Sequence, residues 1–170
     1  MGINRDFKEL FSTLNTCRVR YLVAGAHAVM YHTEPRFTKD LDLWVEPIPE
    51  NAKRVWAALV EFGAPLRDLT EADLCNPKMV YQIGVAPNRV DIMMGVPGIR
   101  FATAWGNRVP GEYGGVPINI MGRKDLMRAK RTAGRPQDLI DLSALKGVSA
   151  KGHRHSRRSH IRKRARQGGV

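Results

Sequence analysis

Residues 25–45 read GAHAVMYHTEPRFTKDLDLWV. The stretch opens on a small-residue turn, Gly25-Ala26, and runs through a short apolar segment and a polar link from His32 to Lys39. It closes on Asp40-Leu41-Asp42-Leu43-Trp44-Val45. Along an extended strand successive side chains point to opposite faces, so Asp40 and Asp42 share one face and Leu41, Leu43 and Val45 the other. Two carboxylates on one strand face repel each other unless positive charge lies between them, and a divalent metal ion meets that need. The blander alternatives are two acids facing solvent, or Asp40 capping a turn.

Upstream, Phe7, Leu10, Phe11 and Leu14 recur at three- and four-residue steps, which predicts an amphipathic helix over 6–16. Residues 20–24 are short, apolar and partly β-branched and predict a buried strand ending at Gly25, with a helix over 26–31 starting straight off that glycine. Downstream, Leu41 to Val45 is the second strand, stopped by Pro47 and Pro49. A helix over 50–62 follows, with Val55, Trp56, Leu59 and Val60 inward and Gly63 as its C-cap. Residues 70–74 open a short helix, and 79–85 and 90–94 form a hairpin around the turn Ala86-Pro87-Asn88-Arg89. In that hairpin Asp91 faces away from Val90 and Ile92, a third carboxylate in an apolar strand. The remaining pattern predicts a short helix over 101–106, a turn over 111–115 and a strand over 116–121. Helices over 123–133 and 137–145 complete it, broken at Gly134-Arg135-Pro136. The expected architecture is α/β (α+β), a mixed central sheet flanked by helices.

A chain of 170 residues with 43% hydrophobic content suits one domain with a real core. The formal charge is +12, of which residues 146–170 carry nine Lys or Arg and no acid, leaving +3 for residues 1–145. Those last residues contain almost no large apolar side chain and cannot offset the entropy of ordering. We therefore expect a domain over 1–145 and a disordered basic tail over 146–170. The tail reads as a nucleic-acid contact, or as a solubilising extension without a partner. The N-terminus lacks a signal-peptide layout and no apolar run nears membrane-spanning length. A cytoplasmic protein without membrane contact is expected, with Cys17 and Cys75 as free thiols.

The succession of Gly25-Ala26, a short helix, Asp40-Leu41-Asp42 and a later strand bearing Asp91 resembles the polymerase-beta-like nucleotidyltransferase superfamily. The link Pro35-Arg36-Phe37-Thr38-Lys39-Asp40-Leu41-Asp42 is similar to the Arg-x-Thr-x-Asp-x-Asp of AbiEii-like bacterial nucleotidyltransferases. Asp125 to Lys130, followed by Gly134-Arg135-Pro136-Gln137-Asp138 to Leu142, resembles the Lys…Arg-x-x-Asp helix pair of the same group. The resemblance implies a minimal nucleotidyltransferase fold and transfer of NMP from an NTP to a hydroxyl of RNA, especially tRNA, or of protein. A toxin role with an antitoxin partner is implied too. It further implies two Mg²⁺ ions, or Mn²⁺, on the catalytic acids Asp40, Asp42 and Asp91. Gly25, Ala26, Arg36, Thr38, Lys130, Arg135 and Asp138 would be the nucleotide-binding set, with Gly25 letting backbone N–H groups approach a phosphate. Several of these also have structural readings. Arg36 could pair an acid from behind, Thr38 could hydrogen-bond locally, and Lys130 could be a solvated helix residue. Asp138, which resembles a family position that holds a base or orients that lysine, could only pair at helical spacing with Arg135 or Arg131. His27 and His32 have no Cys or His partner at metal-ligand spacing and read as structural. One departure stands out: the second turn residue is Ala26, where the superfamily has Gly or Ser. That leaves open a non-catalytic nucleotide- or RNA-binding module with a degenerate site.

Overall fold

The computed structural model describes residues 3–35, 38 and 40–147. Arg36, and all of the expected tail beyond Gly147, lie outside them. The elements in chain order are α1 (Arg5–Thr16), β1 (Tyr21–Val23), α2 (Gly25–His32), β2 (Asp40–Val45), α3 (Pro49–Phe62), β3 (Val80–Ile83) and β4 (Arg89–Met93). Then come α4 (Phe101–Gly106), β5 (Val109–Tyr113), β6 (Val116–Ile120), α5 (Arg123–Ala133) and α6 (Pro136–Gly147), with a single 3₁₀ turn at Asp73–Cys75 between α3 and β3.

Six strands form one sheet in the order β3-β4-β2-β1-β6-β5. The pairs β2–β4 and β1–β6 are parallel, and β1–β2, β3–β4 and β5–β6 are antiparallel. Mixed pairing follows from the connections. Short turns make the two hairpins, whereas β2 reaches its parallel neighbour β4 only after α3 and the edge strand β3. The core is continuous from α1 (Phe7, Leu10, Phe11, Leu14) through β1 and β2 to α3 (Ala52, Val55, Leu59). Helix α1 starts where Asn4 accepts hydrogen bonds from the N–H groups of Asp6 and Phe7. Helix α3 starts on Pro49 and stops where Gly63 turns left-handed at φ +79°.

Two sequence expectations need correction. Residues 111–115 are not simply a turn: Val109–Tyr113 is a strand, and the reversal is confined to Gly114-Gly115. Pro110 and Gly111 conceal it, because both argue against a strand interior. At the outer edge of a sheet they are tolerated. The second correction is Val60, which is 57% exposed. The inner face of α3 runs instead through Asn51, Ala52, Val55, Ala58 and Leu59. Asn51 earns its burial by bonding the backbone of Arg20 and Glu46, which fastens α3 to the end of β2. Cys17 and Cys75 are free, and no helix of the described residues is long and apolar enough to cross a membrane.

Candidate active site

Strand β2 alternates as its sequence demands. Leu41 and Leu43 are fully buried, while Asp40 and Asp42 lie half-buried on the opposite face. Strand β4 repeats the pattern, with Val90 and Ile92 buried and Arg89 and Asp91 half-buried. The parallel register sets Asp42 opposite Asp91 and Asp40 opposite Arg89. Three carboxylates and one guanidinium thus share one patch of the sheet. Further along the same face of β2 the chemistry changes to Trp44, sealed by an edge-on contact with Phe101 of α4 at 5.1 Å between ring centroids.

The turn before α2 is shaped around Asp42. Gly25 has φ +52°, and a Cβ placed on it would lie 1.8 Å from Asp42 Oδ2. Any side chain there would collide with the carboxylate, besides the strain of that backbone region. Next in the chain, the Ala26 N–H donates to the Asp42 carboxylate. The close approach that this glycine serves in the structure is thus to Asp42, where the sequence suggested a phosphate. Burial raises the pKa of Asp42, and the facing Asp91 carboxylate raises it further. Lys130 and the Ala26 N–H pull the other way, and Asp40 adds a smaller upward push.

The sequence predicts that Arg89 closes the turn Ala86-Pro87-Asn88-Arg89. It is instead the first residue of β4. Its Nη2 lies 2.7 Å from Asp40 Oδ2 and 3.3 Å from Asp91 Oδ2, and its Nε is 3.2 Å from Asp91 Oδ1. The signal that would have found it is Arg-x-Asp spacing, which in a strand puts Arg89 on the same face as Asp91. Asp40 Oδ1 is buried and accepts no hydrogen bond among the described residues.

These groups suit a divalent cation in their chemistry: hard oxygen donors, mutual repulsion and an acceptor without a donor. Among the described residues no three His, Cys, Asp or Glu side chains converge as they stand to hold one ion. Arg89 is interposed between two of the acids.

Behind the patch, α5 and α6 supply a buried ionic cluster. Lys130 Nζ is 2.8 Å from Asp138 Oδ1 and 2.9 Å from Asp141 Oδ2. Asp138 and Asp141 are almost fully buried, and Arg135 reaches Asp138 through Nε at 2.8 Å and through its own backbone N–H at 3.1 Å. Burial alone would raise the pKa of Asp138, but hydrogen bonds from Arg135 and Lys130 overcome it and hold the carboxyl at about 2. Lys130 is therefore engaged by two acids while lying near enough to Asp42 to favour its ionised form. The Arg135 side chain is 73% exposed, which leaves its outer surface open to solvent.

The other expected residues are local. Thr38 Oγ1 donates to the Asp40 carbonyl at 3.3 Å. His27 packs edge-on to Phe7 and bonds the Asp40 backbone, and burial lowers its pKa. His32 Nε2 lies 2.8 Å from the Met121 carbonyl, tying the end of α2 to the strand-to-helix link. Two surface concavities, about 330 and 490 Å³, flank α1 on the β3–β4 turn side and the β5–β6 side, and neither is lined by Asp40, Asp42 or Asp91.

Neither a protein-family profile nor a curated protein sequence matches the chain. Its three-dimensional structure does have matches. It is similar to the antibiotic-resistance factor ANT(2'')-Ia at a TM-score of 0.60 and 10% identity, over 86% of this chain and 84% of that one. It is also similar to the lincosamide antibiotic adenylyltransferase LnuA, in its lincomycin-bound structure, at a TM-score of 0.57 and 13% identity, over 86% and 98%. The fold is a nucleotidyltransferase fold. At such low identities the likeness carries the fold, and the role of each side chain rests on the geometry of this chain.

Proposed function

We propose that the protein is a nucleotidyltransferase that moves NMP from an NTP to an acceptor hydroxyl with Mg²⁺, or with Mn²⁺ in its place. The observation that carries this reading is the register of β2 and β4, which brings Asp40, Asp42 and Asp91 to one face of adjacent strands. The three acids would hold the divalent ions, which supply charge stabilisation at the transferred phosphoryl group. The chain's own part is positional. Gly25 makes room for Asp42, and Ala26 fixes it through a backbone N–H. Asp91 is the acid suited to accept the acceptor's proton. Arg135, with one side bound to Asp138 and the other exposed, is placed to fork a phosphate oxygen. Lys130 acts as a buried positive charge behind Asp42, and Asp138 orients it. Arg36 belongs to the same proposed nucleotide-binding set on the strength of its motif.

The acceptor is proposed to be RNA, tRNA in particular. The support is the net positive charge of residues 146–170, since neutralising phosphates supplies most non-specific nucleic-acid affinity. The AbiEii-like motif suggests a toxin with an antitoxin partner, acting in the cytoplasm. The structural neighbours suggest small-molecule acceptors as the comparison arm. The competing reading, a non-catalytic module, drew its support from Ala26. In this turn, however, the group that bonds Asp42 is the backbone N–H, which alanine retains. The test is incubation with each labelled NTP and Mg²⁺, offering total RNA, protein extract or antibiotics, lincomycin among them, beside an Asp40→Ala/Asp42→Ala control. Label entering the RNA arm only with the unaltered protein supports the reading. Equal labelling by both proteins sinks the enzyme, and label in the antibiotic arms alone sinks the RNA acceptor.

A further inference from the structure

Arg89 occupies the space between two of the three acids. It lies in register with Asp40 and two residues before Asp91, so its fork spans from β2 to β4 on the carboxylate face. Its side chain is 36% exposed, and those of Asp40 and Asp91 are 30% and 14%. The Arg89–Asp40 pair is open enough to water to be weak and exchangeable, whereas Arg89 Nε and Asp91 Oδ1 are buried. Lys130 with Asp138 and Asp141, whose acids are almost fully buried, is the tighter arrangement; the arm of Arg89 that reaches Asp40 is the one that can open. The patch also needs the charge, because carboxylates sharing one face of adjacent strands repel one another without a cation.

We propose that Arg89 is a resident counter-ion that competes with the divalent metal for Asp40 and Asp91. In the metal-free protein its guanidinium neutralises the pair and keeps β2 and β4 in register. A divalent cation must displace it, so metal binds weakly until that displacement is favoured. The inference rests on the metal-site reading above and concerns a residue outside the acid set itself.

The experiment uses the full-length protein with Mn²⁺ alone as probe, followed by electron paramagnetic resonance and calorimetry. The wild type is compared with Arg89→Met, and with Arg89→Gln as a second uncharged variant. Folding is checked by circular dichroism. Loss of the competing charge is expected to tighten Mn²⁺ binding about tenfold, the low end of what a close charge pair contributes. Adding Asp40→Asn to Arg89→Met should reverse the gain. Folded Arg89 variants with unchanged or weaker Mn²⁺ affinity overturn the proposal. If neither variant folds, the wild type decides: the Arg89 Nε–H resonance, assigned through its backbone, must shift on Mg²⁺ addition, and an unmoved signal overturns the proposal. The two readings fail differently. Wild-type protein that binds Mn²⁺ with NTP, beside variants no better than wild type for Mn²⁺ alone, leaves the metal site standing and removes only the role of Arg89. Absence of Mn²⁺ binding by every form, with and without NTP, removes both.

Discussion

Gly25 sits at φ +52°, and its missing side chain leaves the space that Asp42 Oδ2 fills. Replacing it by alanine combines backbone strain with a direct overlap, at a cost of about 1–3 kcal/mol. Gly25→Ala should therefore lower the Tm by several degrees and, by displacing Asp42, cut nucleotidyl transfer far more than stability alone explains. Parallel melting and labelling assays check both effects. Asp42 itself predicts the opposite sign for stability. Burial and Asp91 raise its pKa in the fold, so the folded state holds the proton more tightly than the unfolded chain does. Its contribution is most favourable below the unfolded value and is lost as pH rises through the folded one. Asp42→Asn should thus raise the metal-free Tm at neutral pH by a few degrees, equivalent to about 1 kcal/mol, while abolishing transfer. A lower Tm would show that Arg89 and Lys130 already overcompensate the repulsion. At this scale the acids were legible in the sequence because strand alternation is a two-residue rule. Arg89 was legible by the same rule, but the preceding Ala86-Pro87-Asn88 hid it inside a turn.

Between elements, the α5–α6 pair is held by the Lys130, Asp138, Asp141 and Arg135 cluster. Breaking a buried ion pair from one side leaves charge without compensation and costs about 3–5 kcal/mol, whereas removing both partners costs much less. Lys130→Met should be strongly destabilising, and Lys130→Met/Asp141→Leu should recover part of the loss, measured by denaturant unfolding. The same cluster sets an acid limit. Asp138 is depressed to about 2, so the stability it contributes is present above its unfolded value of 3.8 and disappears as pH falls toward 2. Asp138→Asn should flatten the stability profile across that window. The sequence placed both helices and the break between them, because apolar period and Gly-Arg-Pro punctuation are local signals. It could not show that Lys130 faces two acids eight and eleven residues on, since that depends on how the helices fold back on each other. Strand β5 was missed for a related reason: whether a Pro-Gly pair ends a strand or lies on a tolerant edge depends on the whole sheet.

For the whole molecule, charge is unevenly spread along the chain. Residues 148–170 carry eight of the Lys and Arg residues, so a chain ending at Gly147 would fall from +12 to +4. On the proposed division into a domain and a basic tail, that truncation should leave the Tm unchanged within about one degree. It should also weaken RNA binding and flatten its salt dependence. Unchanged affinity and slope would assign nucleic-acid contact to the folded body. The sheet order has a further, temporal consequence. Asp40 and its partner Arg89 lie 49 positions apart, with a helix and an edge strand between them. During synthesis the β2 acids emerge long before anything can pair with them, and loop closure of that length must come before the reward. The carboxylate patch is accordingly a late product of folding. On the proposed function, a nascent chain halted before β4 would carry two carboxylates without Asp91 or Arg89, and nucleotidyl transfer would begin only once synthesis has passed the strand that completes the centre.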